Sequence, residues 1–175
     1  MAAIRRQLSD SQMKVRGGRK ATINWVCAYP LLLFTGLFAL LNGCSDPCEN
    51  PDNEKILKAA GSETGAIVTE SGLVFRQLKA GFGPKPKPSH RVSVLYEGRL
   101  PDGKVFDSSK PGRPAEFKLS EVIPGWVEGL QMLNGGGRAK LTVPANLAYG
   151  HKGKVGKIPS CSVLIFEIEL LGITD

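Results

Sequence analysis

The chain has 175 residues, a formal net charge of +7 and four cysteines. Six of its 23 basic residues but only one of its 16 acidic residues precede position 44, so the remainder carries a net charge of only +2. The basicity belongs mainly to the leader, and the rest lacks the continuous basic stripe that nucleic-acid binding needs, so no nucleic-acid partner is expected.

In the leader, Arg5, Arg6, Lys14, Arg16, Arg19 and Lys20 precede an uncharged apolar run from Ala21 to Leu41. Basic residues followed by an apolar stretch are the pattern of a secretory signal. The run closes on Leu41-Asn42-Gly43-Cys44. This resembles the lipobox of bacterial lipoproteins, in which a small residue precedes the cut and the cysteine thiol receives diacylglycerol. The resemblance implies removal of residues 1–43 and acylation, including palmitate, at Cys44. Asn42 is a less usual occupant of its position, and Met13 is a second candidate start. An uncleaved membrane anchor and an ordinary signal peptide are the alternatives. All three place the folded part outside the cytoplasm. Ser45 after the cysteine resembles lipoproteins sorted to the outer membrane, which implies a lipid-anchored protein facing the periplasm.

Residues 44–64 read as a flexible tether, with Asp46-Pro47, Asn50-Pro51 and few large apolar side chains. Lys55 to Ala60 has the residues for one helical turn, but no apolar period sustains it. Cys48 lies in this tether and Cys161 opens a strong strand. One disulfide is open to them in an oxidising compartment, but both are read as free thiols. No metal-ligand spacing is present, and His90 and His151 read as loop residues.

Residues 65–175 suffice for one domain with a single core. Leu73 to Leu78 reads as a strand, and Val92, Val94 and Tyr96 alternate with Arg91, Ser93 and Leu95 in another. Pro101-Asp102-Gly103 signals a tight turn that folds Lys104 to Asp107 back antiparallel. Ala115 to Leu119 is a short strand. The stretch Val122-Ile123-Pro124-Gly125-Trp126 then enters one helix. Pro124 suits its first turn; Trp126, Leu130 and Leu133 share a face. Gly135-Gly136-Gly137 is expected to stop it through a left-handed cap. Arg138 to Val143 is a strand. Ser162 to Leu171 is the strongest, with Leu164, Phe166, Ile168 and Leu170 on one face and Glu167 and Glu169 on the other. The fold class is α+β, an antiparallel β-sheet wrapped around one short α-helix.

Several motifs follow one another at appropriate spacing: Val94 to Gly98, Asp102 to Ser109, Val122 to Trp126, Leu147 to Gly150, Ile158-Pro159 and Leu164 to Leu171. Together they resemble the FKBP-type peptidyl-prolyl cis-trans isomerases over roughly Gly65 to Leu171. Thr69 to Leu73 looks like the envelope members, including the macrophage infectivity potentiator type. Those often carry a long helical dimerisation segment. The tether is too short for one, so a monomer is expected. The resemblance implies catalytic roles for Asp107, Tyr96 and Tyr149, and a substrate pocket of Phe106, Val122, Ile123, Trp126, Ile158 and Phe166. Trp126 would be the floor for a proline ring. The Ile123 N–H and the Tyr149 hydroxyl would donate to substrate carbonyls, and Asp107 would bond the Tyr96 hydroxyl. It also implies proline-containing polypeptide substrates, macrolides as ligands, and no cofactor or metal. A wall position often aromatic in relatives aligns with Ala115, which predicts a wider pocket there. A position that is histidine in some relatives aligns with Lys154, and Lys152 and Lys157 make its loop basic. That loop should favour acidic residues near the proline.

The residue types suit the chemistry. An X-Pro bond rotates over tens to hundreds of seconds because amide resonance must be broken. The planar amide is more charge-separated than the twisted one, so a dry aromatic pocket with fixed donors favours the twisted form. A second reading belongs to another class: a chaperone or surface interaction module that grips proline-containing segments with little turnover.

Overall fold

The computed structural model describes residue 48 and residues 50–174. The expected signal segment and the acylation site Cys44 lie outside the described residues. The elements run α1 (Pro51–Gly61), β1 (Ala66–Val68), β2 (Val74–Lys79), β3 (Arg91–Arg99), β4 (Val105–Ser108), β5 (Ala115–Lys118), α2 (Pro124–Met132), β6 (Arg138–Val143) and β7 (Leu164–Ile173), with three short 3-10 turns between them. The class is α+β.

The strongest alternation in the sequence lies inside the sheet. β7 pairs antiparallel with β6 on one side and β3 on the other. The order is β1-β2-β6-β7-β3-β4, with β5 also on β3. β4 and β5 share one edge of β3: β5 takes Arg91 to Val94, and β4 takes Glu97 to Arg99. Tyr96 falls between the two pairings. There Ser109 bridges instead, its backbone N–H donating to the Tyr96 carbonyl at 2.9 Å.

Leu164, Phe166, Ile168 and Leu170 are buried on one face of β7 and join Val92, Val94, Leu141 and Val143 in the core. Each fully buried Leu, Ile or Val contributes about 1.5–3 kcal/mol. Trp126 and Leu130 of α2 pack on that face. Gly129 permits the approach, since a Cβ there would lie 2.6 Å from Leu141 Cδ1.

The helix does not end on a glycine cap. Leu133 ends it in an extended conformation, and its side chain is 1% exposed. Burying leucine decides the boundary. The glycines form the next turn, where the Gly136 N–H donates to the Leu170 carbonyl.

Two readings of the tether are corrected. Residues 51–61 form a full helix, α1. Asn50 caps it by accepting the Asp52 N–H at 2.9 Å, and Pro51 occupies the first turn. Asp52 and Glu54 complement the N-terminal dipole, and Lys58 pairs with Glu54 at 2.7 Å. Second, Cys48 and Cys161 are joined in a disulfide rather than free. The Asn53 amide donates to the Cys161 carbonyl at 2.7 Å beside it. A helix too weak alone is thus held by tertiary contacts.

Candidate active site

The site starts at the entry to α2. Ile123 is the residue before the helix, extended at φ −59° and ψ 146°. Its carbonyl accepts the Trp126 N–H at 2.9 Å, and its own N–H has no backbone partner among the described residues. Helix N-termini leave such donors over. One turn on, Trp126 is 4% exposed.

Three strands bring rings to that indole. Tyr96 of β3 meets it edge-on at 5.1 Å, Phe166 of β7 at 5.4 Å and Phe117 of β5 at 5.7 Å. Phe106 of β4 lies edge-on to Phe166 at 5.6 Å. Such pairs contribute about 0.5–1.5 kcal/mol each beyond burial. The cage depends on Gly98, where a Cβ would come within 2.7 Å of Phe106 and 2.8 Å of Phe166. The result is a cleft of about 340 Å³ with Trp126 among its lining residues.

Polar groups stand at its rim. The Tyr96 phenol faces the Asp107 carboxylate. Burial first, and then the Asp107 charge and hydrogen bond, push the Tyr96 pKa up to about 12. This phenol therefore stays protonated throughout the physiological range. Asp107 also accepts the Ser108 N–H at 3.1 Å. Tyr149 is 36% exposed, and its pKa is raised by burial and then by Asp107. The Lys154 ammonium lies 5.8 Å over the Tyr149 ring.

Of the nine residues singled out from the sequence for catalysis or substrate binding, eight line this cleft: Tyr96, Phe106, Asp107, Val122, Ile123, Trp126, Tyr149 and Phe166. Ile158 does not. It is 5% exposed and lines a neighbouring groove. The cleft also takes Phe117 and Glu121, which the sequence reading missed, and Lys154. Phe117 lies two residues beyond Ala115 on the same side of β5 and supplies a ring to the cleft. The signal was the strand alternation itself. Glu121, in a short turn, carried none.

A flat aromatic floor, aliphatic edges and two donors suit an apolar ring flanked by carbonyls. The family model for FKBP-type peptidyl-prolyl cis-trans isomerase matches residues 83–171. The chain belongs to this family. Over 120 residues it is 48% identical to the FKBP-type 22 kDa peptidyl-prolyl cis-trans isomerase of Escherichia coli (strain K12), covering 68% of this chain and 58% of that one. The outer membrane protein MIP of Legionella longbeachae is 45% identical over 121 residues, covering 69% of this chain and 52% of its own. Among FKBP-type structures, the crystal structure of FkpA from Escherichia coli aligns with a TM-score of 0.67 at 43% identity, over 70% of this chain and 58% of that one. A peptidyl-prolyl cis-trans isomerase from Pseudomonas syringae pv. tomato aligns at 0.67 and 36% identity, over 71% of this chain and 92% of that one. The chain spans about half the length of the curated relatives it matches.

Proposed function

We propose that this chain accelerates cis–trans rotation of X-Pro bonds in polypeptides that fold outside the cytoplasm. The observation that carries this is the aromatic cage on Trp126, closed by rings from β3, β4, β5 and β7. The proline ring sits on the indole. Val122 and Ile123 form one edge. The Ile123 N–H and the Tyr149 hydroxyl hold the carbonyls on either side of the ring while the amide turns. Asp107, held by the Ser108 N–H and facing the Tyr96 phenol, sets the field beside the twisting bond. Donors already in place need no reorganisation in the transition state. Displacing water from the cage removes solvent that favours the charge-separated planar amide. Macrolide ligands would compete for the same cleft.

Cys44 carries the lipid anchor in this reading, and the domain works as a monomer in the cell envelope, at the outer membrane. The lipobox-like motif and the names of relatives such as the outer membrane protein MIP support it. Mass spectrometry of the mature N-terminus should find an acylated residue 44. A chain beginning at residue 1 would refute the anchor.

The activity is tested by refolding a protein whose slow phase, over tens of seconds, is X-Pro isomerisation. Catalytic amounts of the full-length chain in detergent should abolish that phase. An unchanged slow phase with binding to the unfolded chain would instead make this a gripping module.

A further inference from the structure

Beside the catalytic cleft lies a second groove of about 350 Å³. Leu100 and Ile158 give it an apolar floor, and Val155, fully exposed, stands at its lip. Its charge comes from Lys104, Lys152, Lys154 and Lys157, opposed by Asp102 alone. Lys154 lines both cavities, so the two adjoin at that side chain.

Two features separate this groove from an ordinary solvated surface. First, none of the four lysines has an ion-pair partner among the described residues. On the sheet, by contrast, Lys140 and Arg76 pair with Glu63, Arg138 with Glu167, and Lys79 with Glu169. Second, the backbone that carries them is fixed. Lys154 and Ile158 exchange two hydrogen bonds at 2.8 Å, and the Lys157 N–H donates to the Lys154 carbonyl at 2.9 Å. Gly153 opens the loop at φ 56°, where a Cβ would lie 2.4 Å from the Ile158 carbonyl, so the turn requires glycine. Lysines on a fixed loop lose less freedom on binding. Four like charges gathered around a single acid also repel one another, and that repulsion is relieved by an acidic guest.

We propose that this groove extends the substrate site and takes an aspartate or glutamate on the flank of the polypeptide that leaves the cleft past Lys154. The claim rests on the isomerase reading, because it places the proline on Trp126. The apolar floor favours a peptide over a lipid surface: its side chains pack on Leu100 and Ile158 while its carboxylates meet the lysines. Specificity then comes from the flank, since the cage itself accepts any proline.

The test uses the full-length chain in detergent and a series of proline peptides with one Glu, or Gln as control, at each of three positions before and after the proline. Both turnover and binding affinity are measured. On one flank, Glu should raise kcat/KM and affinity about two- to fivefold over Gln at low salt, the range for an exposed ion pair. Most of the gain should vanish at 0.5 M salt, where screening acts within a few ångströms. In the Lys104→Glu/Lys157→Glu double variant, shown to be folded by circular dichroism, the Glu-to-Gln ratio should fall to one or below. Equal affinity for Glu and Gln peptides in the wild type would overturn the groove, as would an unchanged ratio in the variant. Binding to anionic vesicles without any peptide preference would overturn it too. A Glu preference in affinity without turnover would leave the groove standing and overturn the isomerase reading alone.

Discussion

Tyr96 couples structure to function most tightly among single residues. Its ring packs on Trp126 and its phenol faces Asp107. In the unfolded chain a phenol titrates near 10; in the fold this one titrates at about 12. The folded state therefore keeps a proton that the unfolded state has lost. Stability from this group is complete below pH 10, declines as pH rises towards 12, and is gone above it. Tyr149 shifts in the same direction. Urea unfolding between pH 9 and 12 should show this decline, and Tyr96→Phe should flatten it; an equal slope in the variant would contradict the assignment. Catalysis is probed by gentler changes. Tyr149→Phe removes a donor and Asp107→Asn weakens the field beside the amide, while both keep side-chain shape. A hydrogen bond to an uncharged partner contributes about 0.5–1.5 kcal/mol, so each should slow turnover roughly three- to tenfold in the refolding assay with the melting temperature little changed. Trp126→Ala is a poorer probe, because losing a buried aromatic costs about 3–5 kcal/mol of stability. Most of the cleft was legible from motif residues. Phe117 was not: it belongs to no motif, and only the rule that side chains two apart on a strand share a face places it beside Ala115.

Elements were legible where one face is buried along their length. β3, β6 and β7 show this: their alternation is the imprint of a core on one side and water on the other. α1 shows the converse. Of its eleven residues only Ala60 is buried, so it leaves almost no apolar period to read. Its stability comes from Asn50, from Asn53 on the Cys161 carbonyl, and from the Cys48–Cys161 bridge just before it. Only the Asn50 cap is local in sequence; the Asn53 contact spans 108 positions and the bridge 113. Closing so long a loop should stabilise the fold by about 2–5 kcal/mol. A Cys48→Ser/Cys161→Ser variant should therefore unfold at lower urea by that amount. The bridge also pins the end of the loop that begins at Tyr149, where the Cys161 N–H donates to the Gly150 carbonyl at 2.9 Å. An undiminished unfolding midpoint would show that α1 and this loop are held without it.

At the scale of the molecule, the order of strands could not be read from the chain. Only the β3–β4 hairpin, turning at Asp102-Gly103, announces its own pairing. That β6 inserts between β2 and β7 depends on which faces fit, and no local signal encodes it. The same long-range closure changes what the tether does. As a free segment, residues 44–64 would let the domain wander from a membrane. With Cys48 bonded to Cys161, only four peptide steps separate Cys44 from the domain, a reach of about 14 Å at full extension. If Cys44 is acylated, the domain is held against the bilayer rather than away from it. Trp126 reports this directly, since the only other tryptophan, Trp25, lies in the leader. In vesicles with dansyl-labelled headgroups, the acylated protein should transfer excitation from Trp126 to the surface. Inserting twelve Gly and Ser residues between Ser45 and Cys48 should reduce that transfer strongly. Cys48→Ser should reduce it less, because α1 still docks at Asn53 and Ala60. Equal transfer from wild type and the insertion variant would mean that the bridge does not set the height of the domain, and that proline segments reach the cleft without the membrane limiting their approach.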